Sequence, residues 1–443
     1  MLANVLAPEA FGLMALVAVI MAGLQSFTDL GISPSLIMSP NAERAEFRST
    51  AWTLTVIRGF ALWIVVCVLA WPLSRLYDHQ LMLLLPVASL VLVLSAFQST
   101  QIVILQRHLR YREVTILEIG TGIVWIATSV VLAFVLRSVW AMVIGTLIGI
   151  ALKTILSWTL STDHRDRFVL DRAAAGELIR FGRWIFVSTI ISFLALQLDK
   201  LLLGKLLTLE QFGLYSIALS LVVLPRELLS KLAGAVQFPL LAGVFRREPG
   251  RLASAVSASR GPLLVLGATM TAAVVLLSEP FFTLLYDARY SDCAHIAQWL
   301  SWPIMLSVLT ATVDRAALAA GNSKLLAAAN VVRLLGTAAA CILGNVIYGF
   351  PGFVAGMAFG AAVAHAFVVV GLRRYGIRTL KQDALVVGLL AVVSVVAMSG
   401  VGNALQLGSW HGVQIGHLMV ATVVLGPLGV WAARSILMQV RST

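Results

Sequence analysis

A chain of 443 residues that is 60% hydrophobic and 12% charged, with a mean hydropathy of +0.95, lies far outside soluble usage, so the bilayer is its solvent. The net charge of +12 is spread over short loops rather than gathered in a patch, which excludes nucleic acid as the partner. Cys67, Cys293 and Cys341 have no paired spacing, so the sequence indicates neither a disulfide framework nor a metal site, and no cofactor.

Apolar runs of about 20 residues recur from end to end, each long enough to cross roughly 30 Å of hydrocarbon as a helix. Stretches such as Leu62 to Ala70 and Val386 to Val396 are apolar on every face, which argues against a barrel. The fold class is therefore all-α, a polytopic membrane protein with about thirteen transmembrane helices. They are expected at 12–38, 52–71, 81–105, 114–136, 140–160, 184–204, 212–240, 261–283, 296–319, 325–348, 352–371, 384–402 and 414–433. Met1 to Phe11 has no basic segment of the kind a cleavable signal carries, so the first span directs insertion, and Pro34 breaks or tilts its end.

The connecting segments alternate in charge. One set holds twenty basic residues, from Arg44 and Arg48 to Arg434 and Arg441, while the other holds four, Arg75, Arg137, Lys205 and Arg289. By the positive-inside rule the C-terminus is cytoplasmic. The longest connection, Ser161 to Arg183, reads as a cytoplasmic linker whose second half is a short amphipathic helix on the membrane surface, capped by Asp171. No other loop exceeds roughly 15 residues, too short for a soluble catalytic domain of even about 50.

The chain also repeats. Glu9-Ala10-Phe11-Gly12-Leu13 recurs as Glu210-Gln211-Phe212-Gly213-Leu214 at an offset of 201, and Leu76-Tyr77-Asp78 as Leu285-Tyr286-Asp287 at 209; Arg58-Gly59 and Arg260-Gly261 fall between them. Repeat-related helices are six apart, which implies two pseudo-symmetric lobes about an axis along the membrane normal. The expected domains are 1–160, an N-terminal lobe of five helices; 161–183, the linker; 184–371, a C-terminal lobe of six helices; and 372–443, two additional helices. On this register the partner of the 184–204 helix is absent from the first lobe, so the natural gene is expected to begin upstream with a helix ending at Met1 or Leu2.

The segments Pro8-Glu9-Ala10-Phe11-Gly12-Leu13, Phe27-Thr28-Asp29-Leu30-Gly31-Ile32-Ser33, Asp199-Lys200 and Leu203-Gly204 are similar to those of the Wzx-type polysaccharide flippases, within the multidrug/oligosaccharidyl-lipid/polysaccharide exporter superfamily. The resemblance covers nearly the whole chain. It implies transfer of an undecaprenyl-diphosphate-linked oligosaccharide across the bacterial inner membrane for O-antigen or exopolysaccharide assembly. The implied partners are that lipid-linked substrate, membrane lipids, and a polysaccharide polymerase with other assembly proteins.

Charges deep in a bilayer cost about 2.5–3.5 kcal/mol each, so they face a cavity or a partner. Lys200, Arg260, Arg315 and Glu118 lie near expected helix ends and are read as snorkelling. Arg226 lies about 14 residues into its helix, roughly 21 Å deep, behind Pro225. Glu227 and Lys231 are set to pair one turn apart. Arg333 follows Asn330 by one turn; Arg58 and Lys153 are intermediate in depth; and Asp29 either pairs with Arg58, accepts a proton or serves a helix end. His365 is read as packed, and Gly352, Gly356 and Gly360 as a close-packing face. A flippase must solvate a diphosphate and sugar hydroxyls inside the bundle, which points to Arg226 and Arg333 on the diphosphate, supported by Arg58, Lys153 and Lys231. Gln25, which occupies the repeat position of Arg226, joins Gln98 and Gln101 as substitutes for water.

The competing readings are a drug or cation antiporter of the same superfamily, which calls for an acidic cavity, and a membrane enzyme of polysaccharide assembly. The latter needs clustered carboxylates or His ligands, which the outer loops Asp287 to His295 and Asn403 to Val413 lack. The sequence is read as a transporter and not an enzyme.

Overall fold

The structure, a computed structural model, describes residues 5–26, 32, 36, 41, 44–108, 110–160 and 166–398. Its described regular elements are all helical. Internal packing divides the chain into two compact units, Met1–Gly213 and Leu214–Thr443. Eight helices among the described residues are long and apolar enough to cross a membrane, and a bent pair makes a ninth. The last expected span, 414–433, lies outside the described residues, so the count of thirteen is not established.

The first unit begins with α1 (Pro8–Ser26) and the long α2 (Ala45–Leu76). The span expected at 81–105 is broken into α3 (Leu81–Ala88), α4 (Leu90–Ala96) and α5 (Gln101–Arg107), with a bend of 61° before α5. Pro86 starts the disruption and Phe97–Thr100 completes it. A helix start inside a bundle leaves N–H groups that must find acceptors. Here the linker residue Asp166 supplies them: Thr100 donates from its amide at 2.9 Å and its hydroxyl at 2.6 Å, and Ser99 from its hydroxyl at 3.1 Å.

Two paired helices follow, α6 (Tyr111–Leu136) and α7 (Trp140–Thr159), close enough that side chains at Gly145 and Gly149 would strike Ser129 and Trp125. Then α8 (Arg172–Leu206) packs against α1 and α2. Asp171 caps it as expected, accepting from the Ala174 amide at 2.7 Å. The separate surface helix does not form, and α8 runs unbroken for 35 residues. No proline interrupts Arg172–Leu206, so a started helix continues into the apolar run.

The next helix, α9 (Leu209–Val222), begins in the first unit, where its first turn meets that of α1. A Cβ on Gly12 would collide with the Leu209 carbonyl, and one on Gly213 with the Pro8 carbonyl. Both pairs are related by the same offset of 201, so the repeat in sequence becomes a reciprocal backbone contact that glycine alone permits.

In the second unit, α10 (Leu224–Leu232) starts afresh at Pro225 and is followed by a π-turn, Ala233–Gln237, and α11 (Phe238–Arg247). The wider π-turn is held by buried Gln237, whose amide donates to the Thr312 carbonyl at 3.0 Å. Around it pack α12 (Leu252–Leu285), α13 (Cys293–Ala319), α14 (Ser323–Leu372) and α15 (Leu380–Met398). Leu229, Leu263, Ala268, Met305 and Val308 form its core, which Val386 and Leu390 of α15 complete. At Gly349, with φ 63° and ψ −142°, α14 turns back on itself, a conformation that favours glycine. Its two arms meet along the expected glycine face: Gly352 lies against Gly344, Gly356 against Ala340, and Gly360 against Thr337.

Candidate functional site

Each unit carries a polar cavity. In the first, Gln25 of α1, Thr55 and Arg58 of α2 and Ser95 of α4 line a space of about 130 Å³, with Gly59, Leu62, Leu92 and Ala96 completing the wall. Gly59 sets the spacing, because a Cβ there would meet Ala96 Cβ at 2.6 Å and the Leu92 carbonyl at 2.9 Å. Helices α2 and α4 can therefore approach closely with Arg58, the preceding residue, at the cavity. The Arg58 guanidinium donates to the Gln25 carbonyl at 2.9 Å, a C-terminal carbonyl of α1 where positive charge is favoured. Sequence reasoning had singled out both residues, and the fold joins them.

The other expected residues of this unit have different settings. Gln101 accepts from Arg48 at 2.9 Å, and Arg48 also donates to Thr100 Oγ1 at 3.3 Å, within the polar group that Asp166 organises. Gln98 sits in the turn between α4 and α5. Lys153 pairs with Glu118 at 3.4 Å across α6 and α7. Asp29 lies outside the described residues.

In the second unit, Ser307, Thr310 and Asp314 of α13 face Leu326, Ala329, Asn330, Arg333, Ala361 and Ala364 of α14 across a cavity of about 120 Å³. Arg333 donates to Ser307 Oγ at 3.3 Å, and Thr310 Oγ1 lies 3.3 Å from His365 Nδ1. Arg315, Arg333 and His365 all lie within electrostatic reach of Asp314. On α10, Arg226 is half-buried while Glu227 and Lys231 are exposed. The helix-face pair expected of Glu227 and Lys231 is not among the ion pairs of the described residues.

Arg260 departs most from expectation. It does not snorkel; it is 0% exposed. Its guanidinium pairs with Asp383 of α15 at 2.5 Å and also donates to Thr312 Oγ1 at 2.9 Å and the Leu309 carbonyl at 3.3 Å. The helix starts at Leu252 rather than near 261, which places Arg260 well inside it. His365 Nε2 faces the other Asp383 oxygen at 3.2 Å, so this histidine is packed but within a polar chain. Arg315 likewise turns inward, donating to the Ser230 carbonyl and hydroxyl at 3.3 Å. Asp314 and Asp383 were not singled out from sequence. A carboxylate inside an apolar run was the available signal for Asp314.

The family model described as "Polysaccharide biosynthesis protein" matches residues 1–295. The chain is 24% identical over 311 residues to the lipopolysaccharide biosynthesis protein WzxC of Escherichia coli (strain K12), covering 68% of this chain and 61% of that protein. It is 21% identical over 309 residues to the teichuronic acid biosynthesis protein TuaB of Bacillus subtilis (strain 168), covering 68% and 62%. The chain thus spans about three-fifths of the length of these curated relatives. Among solved structures, the lipid II flippase MurJ in an inward closed conformation is similar in fold, with a TM-score of 0.67 and 13% identity over 97% of this chain and 90% of that one.

Proposed function

The chain belongs to the polysaccharide biosynthesis protein family, and on that premise we propose that it carries a lipid-linked oligosaccharide from the cytoplasmic to the periplasmic leaflet of the bacterial inner membrane. The substrate is an undecaprenyl-diphosphate-linked oligosaccharide for O-antigen or exopolysaccharide assembly. The protein works as a transporter without covalent chemistry, its C-terminus is cytoplasmic, and its two repeat-related halves open the path to one side at a time. Its partners are membrane lipids and the polymerase that uses the delivered unit.

The observation that carries this reading is an arginine beside neutral polar groups in a cavity within apolar helices, at Arg58 in the first unit. The physical task of a flippase is to keep a diphosphate and its sugars solvated while the polyprenyl tail stays in hydrocarbon. Guanidinium groups pair with phosphate oxygens, and hydroxyls and amides replace water around the rest. Arg58 with Gln25 has the chemistry of a diphosphate contact, and Arg226 is proposed as a further basic group on the path. Deleting the gene in its source bacterium should make lipid-linked oligosaccharide accumulate on the inner leaflet, and restoring it should clear the lipid. Unchanged export in the deletion strain would contradict the proposal.

A further inference from the structure

The cavity of the second unit differs chemically from that of the first. Its wall contains the Asp314 carboxylate, the Arg333 guanidinium, the Asn330 carboxamide and the hydroxyls of Ser307 and Thr310. The wall of the first, with Gln25, Thr55, Arg58 and Ser95, includes no carboxylate among its described lining residues. A diphosphate presents acceptors and negative charge, so it is matched by donors, and a carboxylate in the same wall repels it. A sugar hydroxyl donates and accepts at once. The second wall suits that pattern, because Asp314 can only accept when ionised, Arg333 can only donate, and Asn330 and the hydroxyls do both.

The wall is also held in place from behind. Arg333 rests on Ser307 at 3.3 Å, while Thr310 meets His365 at 3.3 Å, His365 meets Asp383 at 3.2 Å, and Asp383 is held by fully buried Arg260 at 2.5 Å. The chain from Thr310 to Arg260 crosses α13, α14, α15 and α12, and with the separate Arg333–Ser307 contact it orients Thr310 and Arg333 before any ligand arrives, which lowers the ordering cost of binding.

We infer that the cavity bounded by Asp314, Asn330 and Arg333 is a saccharide subsite, which holds one sugar ring by its hydroxyls and does not take the diphosphate. The assignment rests on the flippase reading and adds to it which part of the substrate this cavity recognises. Asp314 accepts from two neighbouring hydroxyls, Arg333 donates to an adjacent oxygen, and Asn330 fixes the ring's orientation.

The test uses the full chain in lipid nanodiscs and measures affinity for bare undecaprenyl diphosphate and for the same lipid carrying glucose, galactose or N-acetylglucosamine. At least one glycosylated lipid should bind wild type about tenfold more tightly than the bare lipid. Asp314→Asn should erase that gain and leave affinity for the bare lipid within about twofold. Asn330→Ala, which leaves the Asp314 charge in place, should also reduce the gain. The inference is overturned if no sugar improves binding, if Asp314→Asn tightens the bare lipid as loss of a repelling charge at a phosphate site would, or if both variants keep the wild-type sugar gain. A wild type that binds neither bare nor glycosylated lipid removes the flippase reading and the subsite with it, an outcome distinct from binding without sugar preference.

Discussion

Replacing Asp383 by Asn should be among the most destabilising single changes in the second unit. Arg260 has no access to solvent and directs three of its contacts to Asp383, Thr312 and the Leu309 carbonyl, at 2.5, 2.9 and 3.3 Å. Removing the carboxylate charge leaves an arginine cation buried with dipoles alone, and breaking a buried pair from one side costs about 3–5 kcal/mol. Applied to a unit of this size, at roughly 2–4 °C per kcal/mol, that lowers the thermal midpoint by about 6–20 °C. The double variant Arg260→Met with Asp383→Leu removes both charges and should regain much of the loss, with a coupling energy on the order of 2–3 kcal/mol in a double-mutant cycle. The assay is unfolding of the purified full chain in detergent, followed by fluorescence or scanning calorimetry. Asp383→Asn within about 0.5 kcal/mol of wild type, or a double variant as unstable as the sum of the singles, would refute the reasoning.

Other expectations follow from the same geometry. Arg58→Ala should reduce export at least tenfold with normal membrane insertion, since a charge-assisted contact is worth about 1.5–3 kcal/mol, and Arg58→Lys should restore part of it; quantification of inner-leaflet lipid-linked oligosaccharide decides, and full export by the Ala variant counts against the site. Gly12→Ala and Gly213→Ala each push a methyl group into a backbone carbonyl and should cost about 1–3 kcal/mol by thermal unfolding; neutral substitutions would dissolve the proposed contact. In the loop after α12, a side-chain hydrogen bond from Arg289 at 3.1 Å holds the exposed Asp287 carboxyl below the ordinary range. The stabilisation this gives is present at neutral pH and lost as pH falls through the lowered value. Arg289→Ala should therefore raise the Asp287 titration midpoint by NMR, and an unmoved midpoint rejects the pairing. Reporter tags at Asp171 should be cytoplasmic and tags at Asp287 to Ser291 external; the opposite result reverses the topology.

The helices were legible wherever hydrophobicity alone determines them. The spans expected at 114–136, 140–160 and 296–319 correspond to α6 (Tyr111–Leu136), α7 (Trp140–Thr159) and α13 (Cys293–Ala319) within a few residues. Proline and glycine carried further detail, with Pro225 marking the restart at α10 and the Gly352, Gly356 and Gly360 series marking the seam of α14. Arg58 was singled out by its depth and Gln25 as a polar group at the repeat position of Arg226, and their meeting is a local consequence of the α1–α2 geometry.

What the sequence concealed depends on distance along the chain. Arg260 looked close enough to a helix end to reach water because apolarity fades before the helix does, and its partner Asp383 comes 123 residues later. The sequence did not show that Lys153 pairs with Glu118, which lies 35 residues earlier. Asp314 was not singled out, although a carboxylate within an apolar run was there to be read. The junction at Asp171 was read correctly as a cap, but nothing in periodicity distinguishes a surface helix followed by a span from a single continuous α8.

The most direct test of the account is reconstitution of the purified full chain into sealed vesicles containing the lipid-linked oligosaccharide from the source bacterium, with a membrane-impermeant lectin reporting which leaflet holds the sugar. The account predicts that wild-type protein transfers the sugar across the bilayer well above the rate of protein-free vesicles, and that Arg58→Ala reduces this to near the protein-free rate. Wild-type protein that leaves the sugar in its original leaflet at the protein-free rate would contradict it.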